Sequence, residues 1–377
     1  MQYRTFGKLG IKGSAFGLGC MRFNGEASGD SIINEEKAIS LIRRAIDGGV
    51  TYIDTAYVYL DKTSEIVLGK ALQDGYRDKV TIATKMPSEY VHNREEMEAL
   101  LDSELKKLQT DHIDFYLMHG INKEKWEYFK SIGAPEFFED MKKAGKIRYK
   151  CFSFHGPYEE FEYILKDNDW DMVQIQYNFM DIENQAGTRG LELAGSLGIP
   201  VVIMEGLLGG RLAKAPDNVQ ALYDAFPVKR TPVEWAFRWL CNHPEIATVL
   251  SGCNEPEQVD DNLRIFDTVE PNIMTEDELK LMSDVRKAYL SRMKIQCTGC
   301  RYCMPCPNGV NIPGVFALWN NASLYGIDAK EDWQFKNMVN DQQTPENCVE
   351  CGACEAACPQ HLSIIESLKT AWTELNA

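Results

Sequence analysis

Short, largely apolar runs recur along the chain at 15–21, 50–53, 80–85, 113–119, 149–154, 172–177, 200–204 and 246–251. Each has the length of a buried strand. Between them apolar residues return at every third or fourth position, which predicts amphipathic helices. The first helix begins at Asn34-Glu35-Glu36 and carries Ala38, Ile39, Leu41, Ile42 and Ala45 on one face. Gly48-Gly49 stops it before Val50. A second, at 64–72, turns Ile66, Leu68 and Leu72 inward, and Asn93 caps a third at 94–108. Others follow at 136–144, 158–166, 188–197, 232–242 and 256–266. Residues 2–12 alternate and contain Gly7 and Gly10, the pattern of a hairpin that closes one end. Strand then helix, eight times over, is the signature of an α/β fold, a (β/α)8 TIM barrel. After the fourth strand an insertion carries Trp126, Tyr128 and Phe129; it either overhangs the mouth or packs on the rim.

A barrel accounts for residues 1–290 and leaves 291–377 for a small, mainly helical second domain. There, 313–324 and 364–375 read as helices whose apolar faces suit docking on the barrel. The chain has 377 residues, 44% of them hydrophobic, and a net charge of −16. That charge argues against nucleic acid and anionic membrane as partners, since both require basic surfaces. The first residues show no signal-peptide pattern, and no run approaches the ~18 apolar residues of a membrane span. A cytoplasmic location is expected. Of twelve cysteines, Cys20, Cys151, Cys241 and Cys253 are scattered and read as small core residues. The other eight lie between Cys297 and Cys358, and in a reducing compartment such crowding implies metal.

Three strands end in chemistry. The second delivers Asp54 and, five residues on, Tyr59; the third ends in Lys85; the fourth ends in His119. Functional side chains at the carboxyl ends of barrel strands meet at one mouth. A free tyrosine has a pKa near ~10, too high for efficient proton transfer at neutral pH. A lysine cation beside it favours the phenolate and lowers that value, and a carboxylate holds the lysine charged. A histidine orients a carbonyl oxygen. Taken singly, these residues are a helix cap, a solvated strand end and a core histidine. Taken together they form a general acid aimed at an oxyanion, suited to hydride addition to a carbonyl.

Asp54-Thr55-Ala56 with Tyr59, then Thr84-Lys85, then His119, resembles the aldo-keto reductase superfamily. Gly17-Leu18-Gly19-Cys20-Met21 is similar to that family's first strand, and Lys143 to Arg148 ahead of Phe152-Ser153-Phe154-His155 to its fifth. The resemblance implies a catalytic tetrad of Asp54, Tyr59, Lys85 and His119, and a nicotinamide cofactor, NAD(H) or NADP(H). It further implies that Ser153, His155 and Gln174 hold the carboxamide. Gly19, Cys20 and Met21 would approach the cofactor, with Met204 where many members stack an aromatic ring. Glu205, Leu207 and Gly209 would follow the pyrophosphate, and Ser251, Gly252, Gln258, Asp261 and Asn262 the adenosine. Members that bind NADP carry a lysine where this chain has Gly252 and an arginine where it has Gln258. With Asp260 and Asp261 repelling a 2′-phosphate, NAD(H) is the expected cofactor. Arg211 and Lys214 are the alternative cations should NADPH be preferred. No flavin signature is present.

Cys297, Cys300, Cys303 and Cys306 are spaced by two residues and followed by Pro307. Cys348, Cys351, Cys354 and Cys358 end instead on a three-residue gap before Pro359. The second run matches the bacterial ferredoxin pattern, whose fourth cysteine serves the other cluster. Zinc sites favour separated pairs, and redox Cys-x-x-Cys pairs are the other alternative. The resemblance to dicluster ferredoxins implies two [4Fe-4S] clusters, one on Cys297, Cys300, Cys303 and Cys358, the other on Cys306, Cys348, Cys351 and Cys354. The expected activity is hydride transfer between a nicotinamide and a small carbonyl or alcohol substrate. The clusters would be structural, sense redox state, or serve an external electron-transfer partner. The alternative is an iron–sulfur electron-transfer or redox-sensing protein that reuses a barrel scaffold.

Overall fold

The structure, a computed structural model, describes residues 1–23 and 34–377. Ten strands occur among them: β1 (Tyr3–Thr5), β2 (Lys12–Ser14), β3 (Phe16–Gly19), β4 (Tyr52–Asp54), β5 (Thr81–Pro87), β6 (Ile113–Ile121), β7 (Ile147–Phe154), β8 (Met172–Gln176), β9 (Val201–Met204) and β10 (Ile246–Ser251). β1 and β2 form the expected antiparallel hairpin. β3 to β10 close into a parallel barrel in sequence order, with β10 beside β3.

The alternation of side chains along a strand divides the barrel interior into layers. Tyr52, Ala83, Phe115, Cys151, Met172, Val202 and Ala247 form an apolar cluster, and Phe6 from the hairpin joins it. The rings of Phe6 and Tyr52 lie 5.9 Å apart, and Phe115 and Tyr149 stack at 4.9 Å. Two residues further along four of these strands the same inner face carries Asp54, Lys85, Ser153 and Gln174. One end is therefore filled by apolar side chains, rings among them, and the opposite end is polar.

Around the barrel, Glu35–Asp47 buries Ala38, Leu41, Ile42, Ala45 and Ile46 and is capped by Asn34. In Ser64–Ala71 the buried face is Ser64, Glu65, Val67, Leu68 and Ala71, whereas Ile66 points outward. The cause is Gly69: a Cβ there would lie 2.3 Å from the carbonyl oxygen of Lys107, so the helix turns this side inward. The aromatic insertion contains a helix, Lys123–Ser131, that packs on the rim. Trp126 and Phe129 are fully buried, and the Tyr128 hydroxyl donates to the Val91 carbonyl at 2.8 Å.

The described residues fall into two compact units. One comprises 1–23, 34–209 and Val233–Glu276; the other comprises Gly210–Pro232 and Asp277–Ala377. In the second unit, Ile312–Tyr325 and Ile364–Leu375 turn their apolar faces toward each other. Val315, Phe316 and Trp319 share one core with Leu368, Ala371 and Leu375, and with Phe335 and Met338 of Trp333–Asn340. The Trp319 indole donates to Glu374 at 2.7 Å. Among the described residues no helix is long and apolar enough to cross a membrane.

Candidate active site and cysteine hollows

Asp54 is the last residue of β4, Lys85 lies on β5, His119 on β6, and Tyr59 in the loop after β4. The register puts Asp54 beside Ala83 and Pro87 beside His119. Lys85 Nζ donates to Asp54 Oδ1 at 2.5 Å, to the Thr55 carbonyl at 2.7 Å and to Tyr59 Oη at 3.3 Å. His119 meets the Tyr59 ring edge-on, with centroids 5.9 Å apart. Supporting bonds pin the strand ends: Thr84 to buried Glu65 at 2.7 Å, and Ser64 to the Cys20 carbonyl at 2.9 Å.

Burial governs the titration of this group. It raises the Asp54 carboxyl, with Lys85 and Gln174 pulling the other way. It also opposes the Lys85 charge, yet Asp54 and Tyr59 outweigh it and the ammonium is held above its ordinary range. For Tyr59 the sequence-based expectation of a lowered pKa is reversed. Burial raises the phenol, and the opposing pull of Lys85 is smaller. The resting phenol thus keeps its proton. Burial, then the Lys85 charge, lowers His119 to about 3, which leaves a neutral imidazole at ordinary pH.

The residues expected around a nicotinamide line the same end. Gln174 Nε2 donates to Asp54 Oδ2 at 3.3 Å, while Gln174 Oε1 is buried with no partner. An amide N–H from a bound carboxamide would satisfy that oxygen, so the residues present fit the group. Ser153 Oγ accepts from the Gly120 amide at 2.7 Å, and His155 meets Gln185 at 3.1 Å. Cys20 is fully buried after β3, and Met21 is exposed. Met204 ends β9, and Glu205 follows in a left-handed conformation, φ 58°. Its carboxylate lies 4.0 Å from Arg22, a residue the sequence reading passed over. A Cβ on Gly209 would lie 3.3 Å from the Arg22 guanidinium, and one on Gly252 would lie 3.1 Å from its stem. Arg22 thus brings a cation beside Gly252, where the resemblance implies a lysine; its place one residue beyond the predicted first strand was the available signal.

Past β10, Asn262 donates to Ser251 at 3.0 Å, and Gln258 accepts from the Asn254 amide at 2.9 Å. The two aspartates expected to repel a phosphate are both neutralised. Arg44 grips Asp260 through two bonds of 2.6 and 2.5 Å, and Arg264 bonds Asp261 at 3.0 Å.

In the second unit one hollow is lined by Cys297, Cys300, Cys303 and Cys358. The other is lined by Cys306, Cys348, Cys351 and Cys354, and Cys303 reaches its wall too. Burial raises the Cys303 thiol, and Cys297, Cys300 and Cys358 add to the rise. Among the described residues no three His, Cys, Asp or Glu side chains converge as tightly as a single metal ion requires. Four thiolates around a hollow suit a four-iron cube, whose irons each take one cysteine sulfur.

The aldo/keto reductase family profile matches residues 15–280, and a 4Fe-4S dicluster domain matches residues 296–363. The chain belongs to the aldo/keto reductase family. It is an oxidoreductase of that family with a C-terminal dicluster domain, and that domain implies two [4Fe-4S] clusters. The uncharacterized oxidoreductase YqkF of Bacillus subtilis is 26% identical over 326 residues, 77% of this chain and 100% of that protein. The aldo-keto reductase YhdN of the same organism is 37% identical over 156 residues, 39% of this chain and 45% of that protein. Among solved structures, the holo form of aldo-keto reductase AKR11C1 from Bacillus halodurans superposes with a TM-score of 0.64 at 26% identity. It covers 76% of this chain and 97% of its own. An aldo-keto reductase from Klebsiella pneumoniae, described in complex with NADPH, shares the fold at a TM-score of 0.59 and 24% identity, over 76% and 96%.

Proposed function

We propose that this reductase transfers hydride between a nicotinamide and a carbonyl or alcohol substrate, with Tyr59 as proton donor and acceptor. The observation that carries the reading is the Lys85 ammonium, bonded at once to Asp54 and to the Tyr59 hydroxyl. A bound reduced nicotinamide supplies the hydride. The chain does the rest. Neutral His119 orients the carbonyl oxygen without competing for the proton. Tyr59 holds its proton until negative charge develops on that oxygen, then donates it. Lys85 stabilises the phenolate left behind, and Asp54 keeps Lys85 charged in a buried site. The reverse sequence serves alcohol oxidation.

Ser153, His155 and Gln174 would hold the carboxamide. The orphaned Gln174 oxygen is the strongest pointer to it. Met204, Glu205, Leu207 and Gly209 would follow the cofactor toward its pyrophosphate. With Gly252 and Gln258 in place of cations, NADH remains the expected choice, although Arg22 brings one cation beside Gly252 and the paired aspartates no longer argue for it. The rings of cysteines support assigning one cluster to Cys297, Cys300, Cys303 and Cys358, and the other to Cys306, Cys348, Cys351 and Cys354.

Tyr59→Phe tests the acid. Carbonyl reduction should fall by about 10²- to 10⁴-fold, the range for a positioned acid, while the nicotinamide dissociation constant holds steady. Near wild-type turnover of a reactive aldehyde would remove Tyr59 from the mechanism.

A further inference from the structure

The chain leaves the barrel unit at Gly209, spends residues 210–232 in the cysteine-bearing unit, and returns at Val233. The exit is sharp: Gly209 and Gly210 have φ of 66° and 94°. Immediately beyond it, Arg211 Nη2 bonds Asp332 Oδ2 at 3.0 Å, and that carboxylate is only 6% exposed. Further bonds hold the same segment. Arg292 donates to Asn218 at 3.0 Å, Asn218 to the Ala288 carbonyl at 3.3 Å, and Arg230 to Glu278 at 2.6 Å.

Asp332 works in two directions. Its other oxygen accepts from the Gln334 amide at 2.9 Å and caps Trp333–Asn340. That helix places Phe335 and Met338 in the core against which Cys303, Cys306, Cys354 and Cys358 pack. A continuous physical path therefore runs from the cysteines through a capped helix to Arg211. Arg211 lies two residues from Gly209.

We propose that residues 210–232 couple the cysteine sites to the nicotinamide site, so that a chain with its clusters in place binds the nicotinamide more tightly. The proposal rests on the reading of 205–209 as the pyrophosphate loop. In a small unit whose core includes metal-holding cysteines, metal binding is also folding free energy. Without it the helix cap loosens and Arg211 loses its anchor. The loop upstream then gains freedom that nicotinamide binding must remove, and ordering a backbone costs affinity. Coupling between two sites is reciprocal, so bound NADH must in turn favour retention of the iron.

The test is anaerobic fluorescence titration of NADH and NADPH against three proteins: cluster-loaded full chain, full chain stripped of iron, and loaded Asp332→Asn. Asparagine also caps helices well, so this variant removes the charge pair and keeps the cap. Stripping and Asp332→Asn should each weaken both nucleotides alike, by about fivefold or more, the lower end of typical couplings. Unchanged affinity after stripping overturns the proposal. So does a loss on stripping that Asp332→Asn fails to reproduce. Weakening confined to NADPH would make Arg211 a phosphate ligand and not an anchor. A Gly209→Val variant, strained at φ 66°, separates the underlying reading. If it binds NADH normally when loaded with iron, the pyrophosphate loop lies elsewhere.

Discussion

In the barrel unit, Trp126, Trp170, Phe115 and Phe152 are fully buried among side chains of the unit itself. In the second unit, Phe316 and Leu368 share their core with six partly buried cysteines, while Cys300 and Cys351 are exposed. The first unit is large enough to bury a self-sufficient core. The second is small, and small domains commonly lean on metal or disulfide for stability. One chain thus combines a core built of carbon side chains with a smaller core bordered by six cysteines. Damage to either should have a different reach.

The largest separation should come from removing iron. Stripped protein is expected to lose protease protection through 277–377 while the barrel stays protected, as read by limited proteolysis with mass spectrometry. Equal protection before and after would show that the cysteine unit stands unaided. Cys306→Ser refines this. It should cost about four of about eight irons, since each cluster holds four. Retention of all eight would strike Cys306 from the ligands.

Phe115→Ala attacks the other side of the contrast. It opens a hole in the apolar layer and should cost about 3–5 kcal/mol of barrel stability in denaturant titration, with the iron content unchanged. A loss under about 1 kcal/mol would mean that the rings around Phe115 close the gap.

The smallest effect is a matter of pH. His119 titrates near 3 in the folded chain, below its ordinary 6.5. The unfolded chain therefore takes up the proton first as pH falls. The stability contributed by a neutral His119 is complete above about 6.5 and is lost progressively toward about 3. Asp54, raised by burial, contributes with the opposite sign above its ordinary 3.8. Between pH ~7 and ~5 the melting temperature of wild type should fall more steeply than that of His119→Gln. Parallel slopes would remove His119 as the cause.

The barrel was legible because its strands are short apolar runs and its polar residues fall at their ends. Asp54, Lys85 and His119 could each be placed on a strand by counting from the apolar layer. Ile66 was misplaced because helix phase there is set by Gly69 against Lys107, a contact between helices that periodicity cannot carry. The sign of the Tyr59 shift was misjudged because a sequence shows a neighbouring charge more readily than depth of burial. Arg22 and the pairing of Asp260 with Arg44 depend on which loops meet, and residues far apart in sequence do not announce that. The cysteine spacing revealed two sets of four. The helix Asp217–Ala225 gave no hint that it belongs with the second unit, since a mixed polar pattern does not name the surface it covers.

The apolar layer joined by Phe6 makes the barrel a cup with its polar groups at the other end. A ligand lying deeper in such a cup would arrive earlier and leave later than one at the lip. Under the proposed mechanism Tyr59, which follows β4 at that polar end, would take its new proton from the same side. A bulky product lingering at the lip would delay the next turnover without touching any of the four polar groups beneath it.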